Sequence, residues 1–262
     1  MRVLHSSPKT PPTFWSFSHV MPFISKRAAF PPLGLITVAA MLPEAWEQRL
    51  VDLNVGRLSD ADIEWADYVF ISGMIVHVQS VRQVVARCNA ANKPVVAGGP
   101  LFTTGYERFP EIKHFVLGEA EDLMADVAAD MVRGELKQFY RSEQRPLVTK
   151  TPIPRWDLLA LKHYVTMPLQ YSRGCPFNCE FCDIIVMNGR VPRVKTPLQL
   201  IAELESLLDA GWTESIFIVD DNFIGNKVKV KALLRELIPW RKRRDFRNPF
   251  TTEASLNVVD DA

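Results

Sequence analysis

Cysteine is scarce in this chain: there are four in 262 residues, and three of them fall between positions 175 and 182. A secreted scaffold spreads its cysteines to staple distant segments. This pattern argues against a disulfide framework and for a ligand cluster in a reducing compartment. Long apolar runs are missing too. The longest, Leu33–Leu42, is about half of the ~20 residues needed to cross a bilayer, so no membrane span is expected. Arg2 opens a short strand-like run rather than a long apolar segment. No signal peptide is read there, and a soluble cytoplasmic protein is expected. An excess of one charge is also lacking. A net charge of +1 gives no strong pull toward nucleic acid or an anionic membrane. Neither a solenoid repeat nor a low-complexity tract is present. What remains is a composition with 47% hydrophobic and 23% charged residues, close to globular averages. The length fits one large domain or two of roughly 100–200 residues each.

The first part of the chain alternates strand-like and helix-like segments with short connections. Strands are expected at 2–5, 49–53, 68–72, 94–97 and 114–117. Tyr68-Val69-Phe70-Ile71-Ser72 is a continuous apolar run ending in Ser-Gly, as buried parallel strands do. Helices are expected at 31–42, 80–91 and 121–132, the first opened by proline. Five strands with interleaved helices predict a doubly wound parallel sheet of Rossmann-like type, in a domain spanning 1–138.

Residues 139–164 are polar, hold Pro146, Pro152 and Pro154, and show no clean period. They read as an interdomain linker. A second α/β run, 165–262, follows. Residues 168–172 predict a strand feeding the cysteine loop. Thr196 is a candidate N-cap with Pro197 behind it, Ile201, Leu204 and Leu208 share a helical face, and Gly211 closes the helix. Further expectations are a strand at 214–219, a helix at 226–244 and a strand at 249–256. Three strands cannot close a barrel, so the sequence is expected to be a fragment of one.

The cysteines read Arg173-Gly174-Cys175-Pro176-Phe177-Asn178-Cys179-Glu180-Phe181-Cys182, a Cys-x3-Cys-x2-Cys spacing. Three thiolates can hold three corners of a cubane iron–sulfur cluster and leave one iron open. The alternative is structural zinc, which wants four ligands in a closed site. No fourth Cys or His lies within ten residues of the motif; the nearest histidine is His163. Spacing and context together resemble the radical S-adenosylmethionine superfamily. That resemblance implies a [4Fe-4S] cluster on Cys175, Cys179 and Cys182. S-adenosylmethionine would chelate the open iron, and its reductive cleavage would give a 5′-deoxyadenosyl radical. The implied fold is a partial (β/α)6 barrel, here incomplete, with chemistry at the strand C-termini. Phe181 corresponds to the family's aromatic residue near adenine. Asp220 or Asp221, at a strand end, becomes the candidate for the methionine amine, and Glu253 and Ser255 for the ribose or amino-acid moiety. The family's Gly-Gly-Glu wording is absent. The other reading of these carboxylates is a helix cap or loop anchor. Arg173 would either offset charge beside the loop or pair with Glu180.

The first domain resembles the cobalamin-binding domain joined to many radical S-adenosylmethionine enzymes. Five phrases in order carry the likeness: Phe30-Pro31-Pro32-Leu33-Gly34-Leu35, Val51-Asp52-Leu53-Asn54-Val55, Ile71-Ser72-Gly73-Met74, Ala97-Gly98-Gly99-Pro100 and Leu117-Gly118-Glu119-Ala120-Glu121. Ser72, Gly73, Gly98, Gly99, Gly118 and Glu119 are thereby candidate cobalamin contacts. Small residues at strand ends allow close approach of backbone to ligand. The Asp-x-His-x-x-Gly motif that supplies a histidine to cobalt elsewhere is absent, and His77, a lone loop histidine after a strand end, is read first as structural and second as a neighbour of the corrin. The competing reading is a Rossmann-like domain that binds nothing. An aromatic-rich stretch holding Phe14, Trp15, Phe17, Phe23 and Phe30 is read first as core packing, with a cover over the corrin or part of an apolar substrate pocket as the alternatives. Arg241-Lys242-Arg243-Arg244 is assigned to a helix C-terminus, where the macrodipole favours cations.

The resemblance extends to cobalamin-dependent proteins that include the hopanoid C-2 methylases and uncharacterised relatives. It implies methylation of an unactivated carbon on a small-molecule or lipid substrate, with electrons from a donor such as flavodoxin or ferredoxin. No other catalytic residue is assigned. Two rivals stay open. One is a cobalamin-dependent cyclase, oxidative or ring-rearranging enzyme; the other is a non-enzymatic cobalamin or iron–sulfur sensor.

Overall fold

The computed structural model describes residues 1–13 and 16–260; Phe14, Trp15, Asp261 and Ala262 lie outside the described residues. The chain divides into two compact units. The first comprises 1–146 with 154–164, the second 147–153 with 165–262.

The first unit carries β1 (Arg2–Ser7), α1 (Leu33–Ala39), β2 (Glu47–Asp52), α2 (Asp60–Trp65), β3 (Tyr68–Ser72), α3 (Val78–Ala90), β4 (Val95–Gly98), α4 (Pro100–Thr103), β5 (His114–Leu117), α5 (Met124–Arg133) and β6 (Phe139–Arg141). Its six strands form one sheet in the order β2-β1-β3-β4-β5-β6, and every neighbouring pair is parallel. Two apolar cores flank it. Ile63 of α2, Val81, Val84, Val85 and Cys88 of α3, and Leu101 and Phe102 of α4 pack on one side. Leu35 of α1 and Met124, Val127, Ala128 and Met131 of α5 pack on the other. The doubly wound sheet expected from sequence is therefore present. Both cores follow from spacing: buried residues at i, i+3, i+4 and i+7 on α3 and α5 make one apolar stripe per helix.

The elements of this unit that were not expected include α2, α4 and β6. The helix α2 is short, but Ser59 and Asp62 form a reciprocal capping box at its start, and that Ser-x-x-acid spacing was its signal. The strand β6 lies inside the segment read as a linker. Residues 139–141 continue the sheet beside β5. Residues 154–164 also belong to the first unit. Arg155 N donates to Ile36 O, and Tyr164 Oη donates to Asp52 Oδ2 at 3.0 Å.

The second unit carries β7 (Met167–Leu169), β8 (Ser172–Arg173), α6 (Ile184–Met187), β9 (Arg193–Val194), α7 (Pro197–Asp209), β10 (Ile216–Ile218), α8 (Lys227–Arg243) and β11 (Phe250–Thr252). β7, β10 and β11 form a three-stranded parallel sheet in the order β11-β10-β7. The successive helices α7 and α8 connect those strands, so the unit reads β-α-β-α-β. Thr196 caps α7 by accepting from Gln199 N, and Asn226 caps α8 by accepting from Lys229 N. The buried residues of α7 are Leu200, Glu203, Leu204 and Leu207, a stripe rotated slightly from the expected one, with a carboxylate inside it. Among the described residues no helix is long and apolar enough to cross a membrane.

Candidate functional site: strand ends and a cysteine loop

In a parallel sheet every strand C-terminus lies on the same edge, where ligands of open α/β sheets bind. The first unit puts its candidate residues there. Ser72 ends β3 and pairs in register with Gly98, which ends β4; Gly98 in turn neighbours Val116 of β5. Gly118 and Glu119 follow β5 directly.

The glycines are needed for different reasons. Gly99 has φ +85°, and a β-carbon there would collide with Ser72 Oγ. A β-carbon on Gly98 would sit 3.2 Å from the Val116 carbonyl. At Gly118, φ +89°, a β-carbon would meet nothing within 4 Å, so only the backbone conformation selects glycine. Thr103 braces the two loops. Its Oγ1 donates to Gly99 O at 3.0 Å and accepts from Gly118 N at 3.0 Å. Gly73 O accepts from Leu101 N. The result is a row of backbone groups and small residues across three strand ends. Met74, Ile75 and Val76 lie exposed beside it.

His77 is buried and engaged as a loop anchor. Its Nδ1 accepts from Met74 N at 3.0 Å, and its Nε2 lies 3.2 Å from Thr10 Oγ1. Burial lowers its pKa, which favours the neutral ring.

The second unit holds the cysteines on a long loop, residues 174–192, that leaves β8 and returns through β9. The antiparallel pairing Ser172 with Val194 and Arg173 with Arg193 closes its neck. That hairpin was not expected from sequence. Gly174 adopts φ +98°, and a β-carbon there would lie 2.9 Å from Gly189 O, 3.0 Å from Val191 O and 3.1 Å from Asn188 O. The loop entrance thus packs against the backbone of its own exit. Cys175 N donates to Gly189 O, and Cys182 N to Cys179 O.

All three thiols are free, and all reach the surface at least partly; Cys88, by contrast, is wholly buried. Burial pushes the Cys88 thiol up to about 11, as expected of an inert core residue. Phe181 is 93% exposed. Arg173 Nε donates to Gln170 Oε1 at 2.7 Å. Among the described residues no three His, Cys, Asp or Glu side chains stand together in ligating positions. The donor set, three accessible thiols within one loop, suits a metal cluster in number and chemistry; the loop does not hold them converged.

The two aspartates after β10 sit beneath the loop neck. Asp220 is buried and accepts from Tyr171 N at 2.7 Å and from Ser172 Oγ at 2.6 Å. Burial raises its pKa against those hydrogen bonds. Asp221 Oδ2 accepts from Asn188 Nδ2 at 3.1 Å and from Gly174 N at 3.4 Å, touching both arms of the loop. Both carboxylates therefore act as loop anchors in this arrangement. Glu253 and Ser255 follow β11 at the same sheet edge. Glu253 is exposed, and its carbonyl accepts from Phe223 N. Ser255 is tied to Asn222, whose Oδ1 accepts from Ser255 N at 3.2 Å. Sequence reasoning did not single out Asn188, Asn222, Lys195 or Glu203; their partners lie eight to 33 residues away, across element boundaries, where no local motif marks them.

Comparison with known proteins bears on both units. Residues 25–128 match the B12 binding domain family. A protein named as an uncharacterized methyltransferase, from Synechocystis sp., is 45% identical over 100% of this chain and 49% of its own length. The hopanoid C-2 methylase of Rhodopseudomonas palustris is 38% identical over 98% of this chain and 50% of its own. The chain thus spans about half the length of these curated relatives. The fold matches the radical S-adenosylmethionine methyltransferase TsrM of Kitasatospora setae, solved with cobalamin and a [4Fe-4S] cluster bound. That match has a TM-score of 0.66 at 16% identity and covers 92% of this chain and 51% of the other. Residues 25–128 thus carry a B12 binding domain, the whole chain is similar to proteins named as methyltransferases, and its fold is similar to that of a cobalamin- and cluster-bound radical S-adenosylmethionine methyltransferase.

Proposed function

We propose that this chain serves a cobalamin-dependent radical S-adenosylmethionine reaction, a methyl transfer to an unactivated carbon of a small-molecule or lipid substrate. The observation that carries the reading is the cysteine loop: three free thiols at the C-terminal edge of a parallel sheet, on a loop anchored from below by Asp220 and Asp221. Residues 1–138 would serve cobalamin and 165–262 the cluster. When bound, the cluster and S-adenosylmethionine supply one-electron bond cleavage, and cobalamin supplies a methyl carrier.

This chain's own residues would bind and place those groups. Cys175, Cys179 and Cys182 would each ligate one iron. Phe181 would cover adenine with an aromatic face. Asp221, Glu253 and Ser255 offer polar groups along the sheet edge for the amino-acid and ribose parts. Ser72, Gly73, Gly98, Gly99, Gly118 and Glu119 would line the cobalamin site. His77 is already committed to Met74 N, which favours a cobalt left without a histidine from that loop. The name of the relative at 38% identity favours a polycyclic lipid as substrate. A flavodoxin or ferredoxin would donate the electron.

The test is anaerobic reconstitution of the protein with iron, sulfide and cobalamin, followed by S-adenosylmethionine, a reductant and hopanoid lipids. 5′-Deoxyadenosine is expected, together with methyl label from S-adenosylmethionine in the lipid. A cluster-loaded protein that makes no 5′-deoxyadenosine would sink the reading. Formation of 5′-deoxyadenosine with no label in any product would replace methyl transfer by cyclisation or rearrangement.

A further inference from the structure

Glu203 occupies a core position of α7, between Leu200, Leu204 and Leu207. Its carboxylate meets Lys195 Nζ at 2.6 and 2.8 Å, and the two side chains are 1% and 3% exposed. Enclosing two charges is costly, and an apolar pair of similar volume is often as stable or more so. Stability alone therefore gives weak grounds for a carboxylate in a leucine stripe. Such pairs are best attested as devices that fix register.

The location of the pair supports that role. Lys195 directly follows β9, and its backbone N–H donates to Tyr171 O at 2.9 Å, extending the two-residue ribbon that closes the cysteine loop. Tyr171 N and Ser172 Oγ in turn donate to Asp220. Glu203, Lys195, Tyr171, Ser172 and Asp220 thus form one continuous polar chain from α7 through the loop neck to β10. A ribbon of two residue pairs specifies its own register weakly. A one-residue slip would turn the Lys195 side chain away from Glu203 and shift Gly174 against the three carbonyls it packs on.

We propose that Lys195 and Glu203 are a positioning pair that fixes the register of the loop neck and so holds the three thiols where an iron–sulfur cluster is retained. This rests on the proposed function, because it takes the loop to be a cluster loop.

The test is the double substitution Lys195→Met with Glu203→Leu in the full chain. Three quantities are read. They are thermal unfolding of the iron-free protein, amide hydrogen exchange of peptides covering 171–176 and 193–196, and iron release to a chelator after anaerobic reconstitution. The iron-free double variant is expected to melt at or above the parent temperature. Its neck amides should exchange faster, and it should lose iron about tenfold faster, as supporting residues around metal ligands do when removed. Unchanged neck protection and unchanged iron release would overturn the proposal. A double variant that does not fold would assign the pair to stability and overturn it too. A parent chain that takes up no cluster would refute the proposed function instead, while the exchange measurement would still report on the neck.

Discussion

The two units present their candidate ligand groups in opposite ways. In the first, the groups are backbone and glycines on the ends of adjacent strands, flanked by two cores and braced by Thr103. In the second, they are side chains on a long loop, exposed or half-exposed, whose neck is closed by a two-pair ribbon and whose exit is tied to Asp221 through Asn188. A planar macrocycle needs a preformed surface that side chains do not obstruct. A metal cluster needs donor atoms that can close around it. The first unit offers backbone and glycine for the one requirement, and the second offers three accessible thiols for the other. That contrast makes distinct predictions for the two halves of the chain.

The largest effect is expected in the loop. Replacing Cys175, Cys179 or Cys182 singly with Ala should cut iron retention at least about a hundredfold, because an open cluster has no spare protein ligand. Cobalamin binding, followed by its visible absorbance, should stay at the parent level. Loss of both together would break the division between the units.

Next is Gly99→Val. Its φ of +85° and the closeness of Ser72 Oγ predict a loss of about 2–3 kcal/mol in denaturant unfolding. Cobalamin affinity should fall with it, and iron loading should persist.

A comparable effect comes from pH and belongs to the first unit. His5 is fully buried, and desolvation lowers its pKa from 6.5 to about 4. The unfolded chain then binds the extra proton between those values. Stability is full above pH 6.5 and is lost as pH falls toward 4, by about 3 kcal/mol. Denaturant titrations at pH 7 and pH 4.5 should show the loss, and His5→Gln should flatten it.

The smallest effect is Phe181→Ala. At 93% exposure the ring buries little surface, so unfolding should change by less than about 0.5 kcal/mol. S-adenosylmethionine cleavage should nevertheless slow. A large stability change would show that the ring packs against the fold.

Legibility differed along the same line. The strands ending in Ser72 and Gly98 and the helices α3 and α5 were readable because apolar spacing and terminal glycines are local signals. The cysteine loop was readable for the same reason. The strand β6 was missed because three residues among prolines carry no period, and only the neighbouring β5 gives them a partner. The ribbon β8–β9 was missed because its two arms are separated by the loop itself. Asp220 and Asp221 were legible as strand-end carboxylates, but their engagement with Tyr171, Ser172, Asn188 and Gly174 was not.

The sequence by itself determined the two α/β units, the glycine-lined strand ends and the three-cysteine donor set, since each depends on residue type and short spacing. Only the tertiary structure decided that two aspartates grip the neck of the loop and that Glu203 is buried against Lys195. It also decided that His77 is an anchor. These depend on which distant segments meet, and a buried charge or hydrogen bond takes its meaning from the partner that desolvation forces it to find.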